Sequence, residues 1–286
     1  MADAQTLIFH LSDIHFGLEN NRALDWVKAE IAARKPHAVA ITGDITMRAR
    51  TREFAAATEW IRSLDAPVTL EVGNHDLPYF NLLERFFAPY RRFYGVEHTV
   101  ERALKLPGLA IVPLRTTARA QPRLNWSKGW VTGGALAKCL TAIDALPAGT
   151  RAIVTCHHPL REVGTKGTAL TRHGAKALAE LAKRPVAAVL SGHVHDAFDI
   201  VEETGNGPVR MIGAGTLSQR IRSTPPSFNE ITWDGANLAV EVRNLAELPT
   251  PHMQIHDVPE NALPPRQPGE PVAPANAVPR VDPPVH

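Results

Sequence analysis

The chain predicts an α/β fold, and three observations carry that prediction. Short apolar runs alternate with helical stretches as far as residue 191, the pattern of strand–helix–strand units with parallel neighbours. Beyond residue 197 the helices stop and short strands follow one another, which predicts a second, more antiparallel sheet stacked on the first. Beyond residue 248 periodicity is lost and proline takes over. Proline lacks a backbone donor and fixes φ, so residues 249–286 are expected to form an extended tail behind a single body, 1–248.

Residues 6–12, Thr-Leu-Ile-Phe-His-Leu-Ser, are apolar enough and short enough for a buried strand. Helical spacing follows over 21–34, a strand over 37–42, a helix over 51–64 and a strand over 67–72. Residues 79–94 read as one aromatic-rich helix, in which Phe86, Phe87, Tyr90, Phe93 and Tyr94 would face the core or a homodimer partner. A strand at 109–114, a helix at 136–146, a strand at 151–156, a helix at 174–183 and a strand at 186–191 complete the alternation. The later strands are expected at 198–202, 209–212, 229–233 and 238–242.

Composition narrows the function. The formal charge of +2 argues against a nucleic-acid binder held by bulk charge. No apolar run approaches the roughly 20 residues that span a bilayer, and the N-terminus lacks a signal-peptide pattern. Cys139 and Cys156 cannot build a disulfide framework, so a cytoplasmic setting is expected. Against those 2 cysteines stand 13 histidines, unevenly spread.

Five short clusters hold much of that histidine: Asp13-Ile14-His15, Gly43-Asp44, Gly73-Asn74-His75-Asp76, His157-His158 and Gly192-His193-Val194-His195. Each follows an expected strand, and strand ends of an open α/β sheet converge on one crevice. Carboxylate, imidazole and carboxamide suit borderline or hard divalent ions. The i, i+2 spacing of Asp13 with His15, and of His193 with His195, turns each pair to one side of an extended chain. Any one cluster alone reads more simply as a turn with a satisfied core histidine. Together they offer seven ligands, too many for one catalytic zinc with three protein ligands. Seven suit two metals about 3.5–4 Å apart that share a carboxylate. The glycines at 43, 73 and 192 allow close backbone approach.

In this order the five clusters resemble those of the calcineurin-like metallophosphoesterases, over about residues 6–245. The resemblance implies a four-layer α/β/β/α sandwich of two stacked mixed sheets. It implies Asp13, His15, Asp44 and His195 as ligands of one metal, with Asp44, Asn74, His157 and His193 as ligands of the other. The pair would be drawn from Mn²⁺, Fe²⁺/Fe³⁺ and Zn²⁺. A metal-bridging hydroxide would attack phosphorus in line, while His75 donates to the leaving oxygen or to a phosphoryl oxygen. Asp76 would orient His75 or a ligand histidine.

Residues 42–46, the His157-His158-Pro159 run and the chain length look closest to bacterial class III cyclic-nucleotide phosphodiesterases, so the expected small-molecule substrate is a cyclic nucleotide such as 3′,5′-cAMP. Phosphomonoesterase, glycerophosphodiesterase and nucleotide or UDP-sugar pyrophosphohydrolase activities are the alternatives on the same site, with a non-catalytic scaffold more remote. Relatives acting in the lipid A pathway typically carry Arg where this chain has His75, and the sequence shows no apolar insertion for acyl chains. Arg48, Arg50 and Arg52 could hold a phosphate or simply begin a solvated helix. Asn125, Trp126 and Trp130 could border the pocket, and Gly213, Gly215 and Thr216 resemble a turn near the site.

Overall fold

The computed structural model describes residues 5–246, so the proline-rich segment 249–286 and the expected boundary at 248 lie outside the described residues. The first sheet has the order β10-β9-β1-β2-β3. It contains β1 (Thr6–Leu11), β2 (Ala38–Ile41), β3 (Val68–Leu70), β9 (Ser227–Trp233) and β10 (Leu238–Asn244). The second, β4-β5-β6-β8-β7, contains β4 (Leu109–Pro113), β5 (Arg151–Thr155), β6 (Val186–Ser191), β7 (Phe198–Thr204) and β8 (Gly207–Gly213). Both sheets are mixed. β1–β2–β3 and β4–β5–β6–β8 pair in parallel, while β9, β10 and β7 pair antiparallel.

The late strands therefore form no sheet of their own, against the sequence expectation. β7 and β8 extend the second sheet, and β9 inserts beside β1 in the first. The alternation of residue types reports that these segments are strands but not which distant neighbour they pair with.

Side chains alternate between layers with a period of two, as strand geometry requires. Phe9, Leu11, Val39 and Ile41 pack outward under α1 (Asn21–Arg34), α2 (Thr51–Arg62) and α4 (Arg91–Val100). Ile8, Ala38 and Ala40 point the other way, where they meet Ile153, Ala188 and Leu190 of the opposite sheet. Ala152, Val154 and Val189 face α5 (Gly133–Asp144) and α6 (Gly174–Leu181). Three cores separate four layers, helix–sheet–sheet–helix, as the resemblance implied. His10 lies within the sheet-to-sheet layer, where burial lowers its pKa to about 3 and Thr42 and Asn229 satisfy its ring nitrogens.

The expected helix at 79–94 is two helices, α3 (Leu82–Phe87) and α4. Pro89 explains the break, since it removes a donor and disfavours helical geometry at Ala88 before it. Phe93 enters the core, and Tyr90 and Tyr94 pack against it beneath the Arg115 guanidinium. Phe86 and Phe87 do not join them; both are exposed.

Candidate metal centre

All five clusters meet at one edge, beyond the carboxyl ends of β1, β2, β3, β5 and β6, so both sheets contribute. Asp13, His15, Asp44, Asn74, His157 and His195 are buried, and His193 is partly so. Four overlapping trios of donor atoms lie within 4.8 Å: Asp13–His15–His195, Asp13–Asp44–His157, His15–Asp44–His75 and His157–His158–His193.

The backbone is bent to achieve this. Asp13, His15, Asp44, His193 and His195 all have φ between 52° and 68°, a region few non-glycine residues occupy. Glycine is required alongside them. At Gly43 φ is +94°, and a Cβ there would stand 2.6 Å from His157 Nδ1 and 2.7 Å from the Gly73 amide. Gly43→Ala is therefore expected to destabilise the fold by roughly 3 kcal/mol, from left-handed strain plus overpacking. A urea-unfolding midpoint unchanged from wild type would refute that account.

Hydrogen bonds orient the donors. Asp13 Oδ2 accepts from Ser12 Oγ (2.7 Å) and from the His193 amide (2.7 Å). Its other oxygen, Oδ1, is buried without a hydrogen-bond donor and faces His195 Nε2 at 3.1 Å and His15 Nε2 at 3.6 Å. Asp44 Oδ1 accepts from the His75 amide (2.7 Å). Asp44 Oδ2 lies between His157 Nε2 (3.3 Å) and His15 Nε2 (3.8 Å). His157 donates Nδ1–H to the Thr42 carbonyl (2.8 Å), and His195 donates Nδ1–H to that of Arg220 (2.7 Å). His15 has a longer bond of the same kind to Thr46 (3.4 Å). Each ring then presents an Nε2 lone pair to the centre, the arrangement typical of metal-bound histidine. His15 and His195 Nε2 stand only 3.2 Å apart, and the Asn74 amide packs 3.1 Å from His157 Nε2 and 3.0 Å from His193 Nδ1.

Lone pairs this crowded need positive charge among them. Burial works to raise the Asp13 and Asp44 carboxyls, yet both sit below the usual range because His195 and His157, respectively, oppose it. Conversely, His157 is pushed up to about 9: burial opposes the charge, and Asp44 more than offsets it. His195 is raised in the same way by Asp13, while burial lowers His193 to about 3. An orphaned carboxylate oxygen, convergent imidazole lone pairs and a carboxylate set between two histidines fit divalent cations.

His75 takes a different position. Its Nδ1–H goes to the Met47 carbonyl (2.7 Å), and its Nε2 meets Arg220 Nη1 at 3.1 Å. Asp76, expected to orient a histidine, does not. Its carboxylate accepts from the amides of Gly73 (2.9 Å), Ile45 (3.3 Å) and Thr46 (2.8 Å) and from the Thr46 hydroxyl (2.9 Å), so it ties the Asp44 loop to the Asn74 loop. His158 has both nitrogens engaged, by the Thr116 hydroxyl and the Ser127 carbonyl. Cys156 is buried beside it with its thiol raised by burial, a packing residue. Thr216 donates to the Asp13 carbonyl (2.7 Å) and so braces the first ligand loop.

Of the two readings of Arg48, Arg50 and Arg52, the solvated helix start is the one observed. Arg48 and Arg52 are exposed, and Arg50 begins α2 with its guanidinium over Phe80. A cleft of about 200 Å³ over the centre is bordered instead by Lys128, Lys166, Arg220 and Arg222. Arg220 and Arg222 follow the Gly213–Thr216 turn, whose resemblance to a site turn was the one sequence signal pointing there. Trp126 lines a neighbouring cavity with Asn125, while Trp130 packs under Arg172.

The calcineurin-like phosphoesterase family profile matches residues 6–197. A dimetal phosphatase from Danio rerio superposes with a TM-score of 0.60 at 11% identity, over 82% of this chain and 98% of that one. A purple acid phosphatase from yellow lupin (Lupinus luteus) seeds gives 0.58 at 14% identity, over 85% of this chain and 52% of that one. GAP50, described as the anchor in the inner membrane complex of Plasmodium, gives 0.54 at 12% identity, over 84% of each chain. At such identities the likeness establishes the fold. No curated protein matches the sequence at the significance required.

Proposed function

Since the chain belongs to the calcineurin-like phosphoesterase family, and so is a metal-dependent phosphoester hydrolase, we propose that it is a phosphodiesterase working with two metal ions. The observation that carries the pair is Asp44 Oδ2, set between a histidine from each half of the centre. Asp13, His15 and His195 would complete one half, and Asn74, His157 and His193 the other. When bound, such ions neutralise the phosphate's charge and make hydroxide available near neutral pH.

The chain's own groups do the rest. Lys128, Lys166, Arg220 and Arg222 draw an anionic ester into the cleft. With Nδ1–H committed to Met47, His75 offers only Nε2 to substrate. That Nε2 accepts from Arg220 Nη1 here; once substrate takes the Arg220 donor and Nε2 carries a proton, it donates to the leaving oxygen or to a phosphoryl oxygen as charge develops. Arg220 Nη1, beside that nitrogen, supplies a second donor in the same place.

Chelation with EDTA is expected to abolish hydrolysis of bis(p-nitrophenyl) phosphate, and Mn²⁺ to restore it. Full turnover by metal-free protein would sink the reading. The same assay run on 3′,5′-cAMP, a glycerophosphodiester, a monoester and a nucleotide pyrophosphate ranks the substrate classes. The cyclic nucleotide is supported by the motif resemblance and by the aromatic faces of Tyr79 and Trp126 near Asn74.

A further inference from the structure

Helix α3 is inside out. A helix packed on a protein body ordinarily turns its apolar side inward, but here Glu84 and Arg85 are buried. Leu82, Leu83, Phe86 and Phe87 are exposed by 62%, 72%, 38% and 84%. The orientation is held firmly. Glu84 accepts from Arg91 and Arg92 at 3.1 and 2.7 Å, and Arg85 Nε donates to the Arg119 carbonyl at 2.8 Å. Tyr79 and Phe80, just before the helix, are exposed too, and so is Leu124 across the gap. The apolar material absent from the sequence as an insertion is thus assembled from two separate segments.

Beneath this surface lies a cavity of about 480 Å³. Tyr79, Leu82, Leu124 and Trp126 give it mostly apolar walls beside Arg85, and Asn74 and Ser127 also line it. Those two residues also border the cationic cleft, so the apolar cavity opens off the metal centre. One occupant satisfies both regions: an anion at the cleft joined to hydrocarbon in the cavity.

Resting on the phosphodiesterase reading above, and setting hydrocarbon rather than a nucleotide base against Tyr79 and Trp126, we propose that the substrate is a phosphodiester carrying a hydrocarbon chain, and that the chain lies in the cavity between α3 and Leu124. Charge complementarity places the phosphate, and continuity of the two spaces places the chain. A second copy of the protein or a bilayer resting on α3 would cover the apolar residues but would leave the cavity's connection to the centre unused.

The test uses metal-loaded protein and p-nitrophenyl phosphodiesters whose second ester is methyl, butyl or octyl, all below micelle-forming concentrations. In each, water's oxygen bonds to phosphorus, the P–O bond to p-nitrophenolate breaks, and the alkyl phosphate remains, so chain length alone varies. Each fully buried methylene is worth roughly fourfold in binding. With about half the octyl chain buried, kcat/KM should rise on the order of 100-fold from methyl to octyl. Leu82→Ser with Leu124→Ser, both at exposed positions, should shrink that rise to about threefold with an unchanged melting temperature. The wild-type series decides the matter by itself if the double variant misfolds.

Turnover independent of chain length overturns this inference alone. So does a chain-independent enzyme that sediments with phosphatidylglycerol vesicles, or one that forms dimers disrupted by the double variant. No turnover of any ester with metals present overturns the phosphodiesterase reading, and this inference falls with it.

Discussion

Asp44→Asn is expected to lower kcat/KM on bis(p-nitrophenyl) phosphate by at least about 10³-fold, because a shared metal ligand supports several kcal/mol of charge stabilisation. Elemental analysis should show fewer than two metals per chain. The reason lies in how the two carboxylate oxygens are used. Oδ1 accepts the His75 amide, which an asparagine oxygen can still do. The other position would then present an amide N–H to His15 and His157, filling with a neutral donor the space where negative charge stands now. Most of the loop geometry survives, but the buried pairing of Asp44 with His157 is lost, so the melting temperature of metal-free protein should fall as well. A variant with both metals and near-native turnover would show that Asp44 is not the shared ligand.

His75→Ala should fall by about 10²–10³-fold in kcat, within the range for losing a proton donor or an oxyanion contact, and should retain both metals. The separation between those readouts matters. His75 lies within reach of His15 and Asp44 and could be mistaken for a ligand on proximity alone. Its Nε2, however, is turned to Arg220, and its Nδ1–H is committed to Met47. Metal content that drops together with activity would place His75 among the ligands and overturn its assignment as the group facing phosphate.

Much of this was legible in the residues, for identifiable reasons. The convergence of the five clusters was legible because each sits at the end of an apolar run, where chain geometry alone brings distant segments together. The apolar runs marked buried strands, but pairs such as Ile8-Phe9 and Ala38-Val39 are apolar on both faces, so which residue faces which layer shows only in the structure. What escaped was information carried by long-range pairing or by exceptions to binary patterning. Whether β9 joins β1 or builds a separate sheet depends on contacts more than 200 residues apart in sequence. Arg220 lies in a loop without regular spacing, so its place beside His75 has no periodic signature. The core reading of Phe86 and Phe87 fails because apolar residues at helical spacing imply an apolar inward face and this helix buries its charges instead; the homodimer-face alternative still accommodates their exposure. Asp76 was given a catalytic neighbour from its position beside His75, whereas its carboxylate is consumed by backbone amides.

The left-handed backbone at Asp13, His15, Asp44, His193 and His195 has a consequence for how such a molecule can change over time. Aspartate and histidine are among the few side chains that tolerate that conformation, so these positions are selected twice, by what they bind and by how the chain must turn. The rim at 79–87 and 124–126 carries no such demand: none of its residues has a positive φ. One half of the pocket is therefore nearly closed to revision, and the other is open to it. Such a chain can acquire a new appetite by redrawing its rim while the machinery that grips phosphorus stays as it is.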